Sequence, residues 1–173
     1  AGQNRMMRKK IKVTSVLLAV FLLAGATPAI AAPSKAVVKK LTFTSKTVDG
    51  KNFSSKILVG KKPSVIWFWA PWCAICHNEA ANLVEAQETY GDRVNFIGVG
   101  ALGTSAELKV FVEETGTKVF TNLDDSKGKL WARFGVVIQP TLIFIDAKGK
   151  LSTHIGPSDS EFLTSKLKVL TAS

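Results

Sequence analysis

Cys73 and Cys76 are the only cysteines of the 173-residue chain, and Ala74 and Ile75 alone separate them. Thiols at this spacing can close on each other, so the chemistry they offer is thiol–disulfide exchange: one sulfur attacks as thiolate and the other resolves. The pair follows an apolar run, Val65 to Trp69, and opens a helical pattern. The first sulfur therefore falls at a helix N-terminus, where the positive end of the helix dipole favours thiolate. A structural cross-link explains the pair less well, because so small a ring constrains the unfolded chain little. Two other chemistries compete for the same residues. His77 completes C-x-x-C-H, the attachment motif of c-type haem in an electron carrier, but the methionines stand only at positions 6 and 7, leaving His154 as the histidine alternative for a sixth ligand. Zinc would need Cys73, Cys76, His77 and His154 to converge, without the second ligand pair that structural sites usually show.

The elements that must position the pair are legible as alternating patterns. Residues 41–53 alternate around Asp49-Gly50, a hairpin turn signal. Residues 64–69, introduced by Pro63, are almost wholly apolar and read as a central strand covered on both faces. From Cys73 to about Tyr90 the pattern is helical. Cys76, Ala80, Leu83, Val84 and Gln87 share one side, Glu79, Glu85 and Glu88 fall among the polar positions, and Gly91-Asp92 ends the helix. Residues 94–99 read as a second buried strand. Thr104 to Glu107 is a capping box that starts a helix bearing Leu108, Phe111 and Val112, which Gly116 stops. After Asp124-Asp125 comes a short helix with Leu130, Trp131 and Phe134, closed by Gly135. Residues 141–146 and 151–155 form a second hairpin, and Ser158 to Glu161 caps a last helix carrying Phe162, Leu163, Leu167 and Leu170. Strands alternating with helices and closed by an antiparallel hairpin indicate an α/β fold, a central mixed sheet with helices on both faces and an N-terminal hairpin extension.

The N-terminal region reads as trafficking sequence. Arg5, Arg8, Lys9, Lys10 and Lys12 precede the apolar stretch 13–26, and Ala29-Ile30-Ala31 supplies a cleavage site, so residues 1–31 form a signal peptide, with residues 1–5 upstream of an initiator at Met6 or Met7. An uncleaved membrane anchor is the alternative. Residues 32–40 are a polar lead-in and 41–173 one domain. Cleavage leaves 142 residues, enough for a core without several disulfides, and lowers the net charge from +10 to +5. A mildly basic surface with mostly scattered lysines argues against nucleic-acid binding. Export places the thiols where disulfides persist.

With the elements in this order, the sequence resembles the thioredoxin superfamily over residues 41–170, within it the exported branch of TlpA-, ResA- and DsbE-like proteins. The motifs are Trp67-Phe-Trp-Ala-Pro-Trp-Cys-Ala-Ile-Cys76, then Glu79, Gly135-Val-Val-Ile-Gln-Pro-Thr141 and Phe144-Ile-Asp-Ala-Lys-Gly149. The stretch 120–134 looks most like secreted actinobacterial DsbE-like proteins. The resemblance implies a thioredoxin fold and an extracytoplasmic thiol-disulfide oxidoreductase without organic cofactor. Cys73 is then the attacking sulfur, Cys76 the resolving one, and Pro140 a cis-proline facing them, with the backbone of Gln139 turned toward an incoming strand. Trp72, Ala74 and Ile75 line the client surface, and His77 supports the thiolate. Its partners would be cysteine-containing exported proteins, held as transient mixed disulfides, and a membrane redox protein that recycles the site. A dedicated reductant of apocytochrome cysteines in cytochrome c maturation is the alternative. Two departures stand out. Trp67 occupies the position of the buried aspartate of cytosolic thioredoxins, which leaves Glu79 as the acid beside Cys76. Ala81 stands where the family often has a helix-bending proline.

Overall fold

The computed structural model describes residues 34–60 and 62–172. The expected signal peptide and the alternative anchor lie outside the described residues. Among the described residues no helix is long and apolar enough to cross a membrane.

A six-residue strand that is buried along its whole length organises the molecule. This strand, β3 (Ser64–Trp69), takes the middle of a five-stranded sheet. Because successive side chains of a strand point to opposite faces, Val65, Trp67 and Trp69 enter one core, and Ile66 and Phe68 enter another. β4 (Asn95–Gly100) runs parallel to it and β5 (Thr121–Asp124) parallel to β4. On its other side β6 (Thr141–Ile145) is antiparallel, and β7 (Leu151–Ile155) completes the order β5-β4-β3-β6-β7. Helices α2 (Ala74–Tyr90), α3 (Ser105–Glu114) and α5 (Ser160–Thr171) feed Leu83, Phe111 and Leu167 into the first core. Helix α4 (Lys129–Phe134) feeds Leu130, Trp131 and Phe134 into the second. The expected mixed sheet with helices on both faces is thus what forms, and the N-terminal hairpin is present as β1 (Thr44–Lys46) and β2 (Asn52–Ser54), turning at Gly50, whose φ of 76° suits glycine.

Four details differ from the sequence reading. The polar lead-in becomes helix α1 (Lys35–Leu41) from Lys35 onward, capped by the Ser34 hydroxyl, because Val37 and Leu41 are one turn apart and share a face buried against the second core. Strand β5 was not expected: it has four residues, and Asn122 and Asp124 dilute its apolar pattern, so its place depends on β4 and on the Thr47–Leu123 bridge. The cap of α5 is Asp159, whose side chain accepts from the Phe162 amide at 2.7 Å; Ser158 is buried and serves elsewhere. Glu79 leaves the polar face assigned to it: it is 2 % exposed, one turn beyond Cys76 on the inner face of α2. The expected capping box of α3 forms in full, and Gly135 closes α4 with φ 72°.

Candidate active site

The strand β3 ends at Trp69, and Ala70-Pro71-Trp72 turns the chain into α2 with Cys73 as its N-cap. The Cys73 amide donates to the Ala70 carbonyl at 3.2 Å, which holds the turn closed. The Cys73 sulfur accepts from the Cys76 amide at 3.2 Å, so one of the amides left unpaired at a helix start is directed at that sulfur. Cys73 and Cys76 are joined as a disulfide, with their Cα atoms 5.2 Å apart. Cys73 retains 6 % exposure and Cys76 none, which makes Cys73 the sulfur nearer solvent.

Around this pair the surface is apolar. Trp72 is 63 % exposed, yet its indole N–H donates to the Leu102 carbonyl at 2.8 Å, which fixes the ring beside the turn. Ala74 and Ile75 are exposed on the first turn of α2. Opposite the end of β3, Thr141 pairs with Phe68, so the segment before β6 arrives next to the turn carrying the cysteines. That segment has Val137 at 89 % and Ile138 at 50 % exposure, a half-buried Gln139 and a cis bond to buried Pro140. The sequence-chosen residues Trp72, Cys73, Ala74, Ile75, Gln139 and Pro140 therefore gather at one end of the sheet.

His77 and His154 do not join them in a ligand set. One His77 ring nitrogen lies 3.0 Å from the Pro71 carbonyl and its ring stands edge-on to Phe111; the His154 ring lies against Phe162 and bonds the Pro157 carbonyl. Each histidine has its own partners, and both sulfurs are bonded to each other.

One turn along α2 from Cys76 is a buried acid with an unusual set of donors. The Trp67 indole N–H donates to Glu79 Oε1 at 2.6 Å, and the Ser158 amide and hydroxyl donate to Oε2 at 2.9 and 3.0 Å. Burial pushes the Glu79 carboxyl above the ordinary glutamate range, because loss of water penalises its charged form; the donors from Ser158 and Trp67 and the positive potential of His154 pull the other way. Trp67, which replaces the expected acid, thus becomes a donor to the acid that took over. Ser158 is the residue that sequence reasoning missed. Its pattern resembled a helix cap, and no local signal ties it to a glutamate 79 positions earlier. Ala81 is exposed on α2, which runs from Ala74 to Tyr90 as one helix.

A closed C-x-x-C disulfide on the N-cap of a helix that follows the central strand of a mixed sheet defines a thioredoxin-fold oxidoreductase site. Residues 37–154 match the AhpC/TSA family, and the chain belongs to it. It is 35 % identical over 139 residues to the soluble secreted antigen MPT53 of Mycobacterium tuberculosis, covering 79 % of this chain and 76 % of that one. It is 30 % identical over 122 residues to the thiol:disulfide interchange protein HelX of Rhodobacter capsulatus, covering 69 % and 67 %. Its fold is similar to the solved structure of MTB dsbF (TM-score 0.74, 36 % identity, 82 % of this chain and 100 % of that one). It is also similar to that of a secreted Mycobacterium tuberculosis disulfide oxidoreductase homologous to DsbE (TM-score 0.70, 32 % identity, 76 % and 98 %). The protein is a thioredoxin-like, DsbE-type thiol-disulfide oxidoreductase, and its substrates are thiol-containing proteins. These likenesses favour thiol exchange over the haem carrier.

Proposed function

We propose that the protein acts outside the cytoplasm, exported by the signal in residues 1–31, and forms or exchanges disulfides in cysteine-containing exported proteins. The observation that carries the chemistry is the disulfide itself, with the more exposed sulfur at the helix cap and the other fully buried. A client thiolate attacks the Cys73 sulfur, the Cys73–Cys76 bond breaks, and Cys76 leaves as thiolate. The client's second thiolate then attacks the client sulfur of the mixed disulfide, and Cys73 leaves, stabilised by the α2 N-terminus. The client has lost two electrons and two protons, and the enzyme holds a dithiol. The reverse sequence reduces a client. Glu79, one turn from Cys76 and held with a raised proton affinity, supplies or takes the proton of that buried sulfur.

The exposed residues Trp72, Ala74, Ile75 and the Gln139-Pro140 segment offer the surface on which a client strand lies. A membrane redox protein returns the dithiol to its working state. Export and secretion are supported by the basic-then-apolar pattern of residues 5–26 and by the similarity to a secreted antigen.

The test is trapping. Cys76→Ser keeps the attacking thiolate and removes the resolving group, so it accumulates mixed disulfides with client proteins on Cys73, whereas Cys73→Ser accumulates few. If the two variants trap equally, the roles of the sulfurs are wrong; if neither traps and wild-type protein exchanges no disulfide, the site is inactive.

A further inference from the structure

The charge of this chain is unevenly placed. Residues 34–62 contain eight lysines and one acid, Asp49, a net +7, whereas residues 63–173 contain ten basic and twelve acidic residues, a net −2. Tertiary structure gathers part of that charge. Helix α1 packs on the 3-10 turn at Ser55–Val59, and Val38 and Leu41 share a small crevice with Leu58, Val59 and the Ala147-Lys148-Gly149 turn between β6 and β7. Arg133 reaches the same place, donating to the Lys39, Lys40 and Thr42 carbonyls. Lys35, Lys39 and Arg133 line a groove with Val38, Val38 also borders the crevice that holds Lys148, Lys56 stands on the 3-10 turn against which α1 packs, and Lys40 lies over the Phe134 ring; these six cations make up one basic end of the molecule. The acid of the β6–β7 turn, Asp146, spends a carboxylate oxygen on the Lys148 and Lys150 amides. Among the described residues none of the six cations is in an ion pair. Between them stand exposed apolar side chains: Val38, Ile57 and Val59.

The position of this surface is set by the sheet. The 3-10 turn leads into the first residue of β3, and Ile145, after which the β6–β7 turn begins, pairs with that same residue. The disulfide follows the last residue of β3. Six residues at about 3.3 Å each put the basic surface roughly 20 Å from the active site, at the other end of the sheet.

We propose that this surface docks on an anionic phospholipid bilayer, with the disulfide facing away from it toward soluble clients. Unpaired lysines interleaved with exposed aliphatic side chains match a bilayer interface, where ammonium groups meet phosphates and aliphatic groups enter the headgroup boundary. A nucleic-acid surface would need stacking aromatics or base-reading amides among the cations, and the exposed side chains between these are aliphatic. The inference rests on the export reading for its cellular setting, but the surface itself is tested without it.

The full chain is mixed with vesicles of phosphatidylcholine alone and of phosphatidylcholine with phosphatidylglycerol, and compared with Lys35→Gln/Lys39→Gln/Lys56→Gln. Each lysine near an anionic leaflet is worth roughly fivefold in partition, so the variant loses roughly a hundredfold on the anionic vesicles. Its partition onto neutral vesicles is unchanged. The cations at positions 5–12 are common to both proteins and cancel. Hydrogen exchange supplies a second readout when the apolar stretch alone binds vesicles: amides of residues 35–59 slow on anionic vesicles and not on neutral ones. Equal partition of the two proteins on anionic vesicles, or identical exchange on both vesicle types, overturns the proposal. Disulfide exchange with a soluble test protein, run without vesicles, reads the oxidoreductase site independently.

Discussion

Replacing Ser158 by Ala removes one atom, the hydroxyl oxygen that donates to Glu79 Oε2 at 3.0 Å, and leaves the Ser158 amide donating to the same oxygen at 2.9 Å. Both residues are buried, so no water replaces the lost donor without rearrangement. A hydrogen bond to an ionised group contributes about 1.5–3 kcal/mol, and one to a neutral group nearer 1 kcal/mol. The cost of Ser158→Ala should therefore depend on the charge of Glu79. Burial already raises the pKa of this carboxyl, and the hydroxyl is one of the groups that opposes the rise, so the variant raises it further. The folded variant then binds its proton more tightly than folded wild type, while the unfolded chains are alike. Stability relative to wild type falls as pH rises through the Glu79 titration, from a loss of about 1 kcal/mol when the acid is neutral to about 2 kcal/mol when it is charged. Urea unfolding of the reduced proteins on both sides of that titration measures the difference. The same series in a Glu79→Gln background should show no pH dependence from this site. A cost independent of pH in both backgrounds would refute the reasoning, because Ser158 would then be a packing residue and not a partner of the charge. The pH profile of disulfide exchange should move in the same direction as the Glu79 titration, an effect that packing alone does not produce.

In the reduced enzyme, alkylation rates against pH should give Cys73 a thiol pKa below the unperturbed value and leave Cys76 the slower sulfur, since only Cys73 caps the helix; faster reaction of Cys76 in mild acid would reverse their roles. Gly98→Ala should destabilise strongly, by about 3 kcal/mol or more, because a Cβ there collides with the Asn122 side chain and the Trp69 indole, and thermal unfolding would show it.

Much of this molecule is local and can be read from the chain. Residues 64–69 are apolar throughout because a strand covered on both faces has no polar side, and that pattern alone places it centrally. Thr104 and Glu107 announce their helix because a capping box is closed within four residues, and Gly50 and Gly135 mark turns that need positive φ. The cysteine pair is legible for the same reason: its spacing, and its place between an apolar run and a helix, already define an exchange site. Glu79, Ser158 and Trp67 are different. By residue type Glu79 reads with the surface acids Glu85 and Glu88, although it shares the inner face of α2 with Cys76, Ala80 and Leu83; its burial is sustained by a ring N–H 12 residues earlier and a backbone amide and hydroxyl 79 residues later, which supply donors to both its oxygens. The basic surface likewise depends on α1, the 3-10 turn and the β6–β7 turn meeting at one end of the sheet. The reactive pair and most of the elements around it follow from neighbouring residues, whereas α1 and the four-residue β5 take their place against segments distant in the chain. What surrounds the pair depends on the folded arrangement, because a buried carboxylate survives only where distant segments bring hydrogen-bond donors to it.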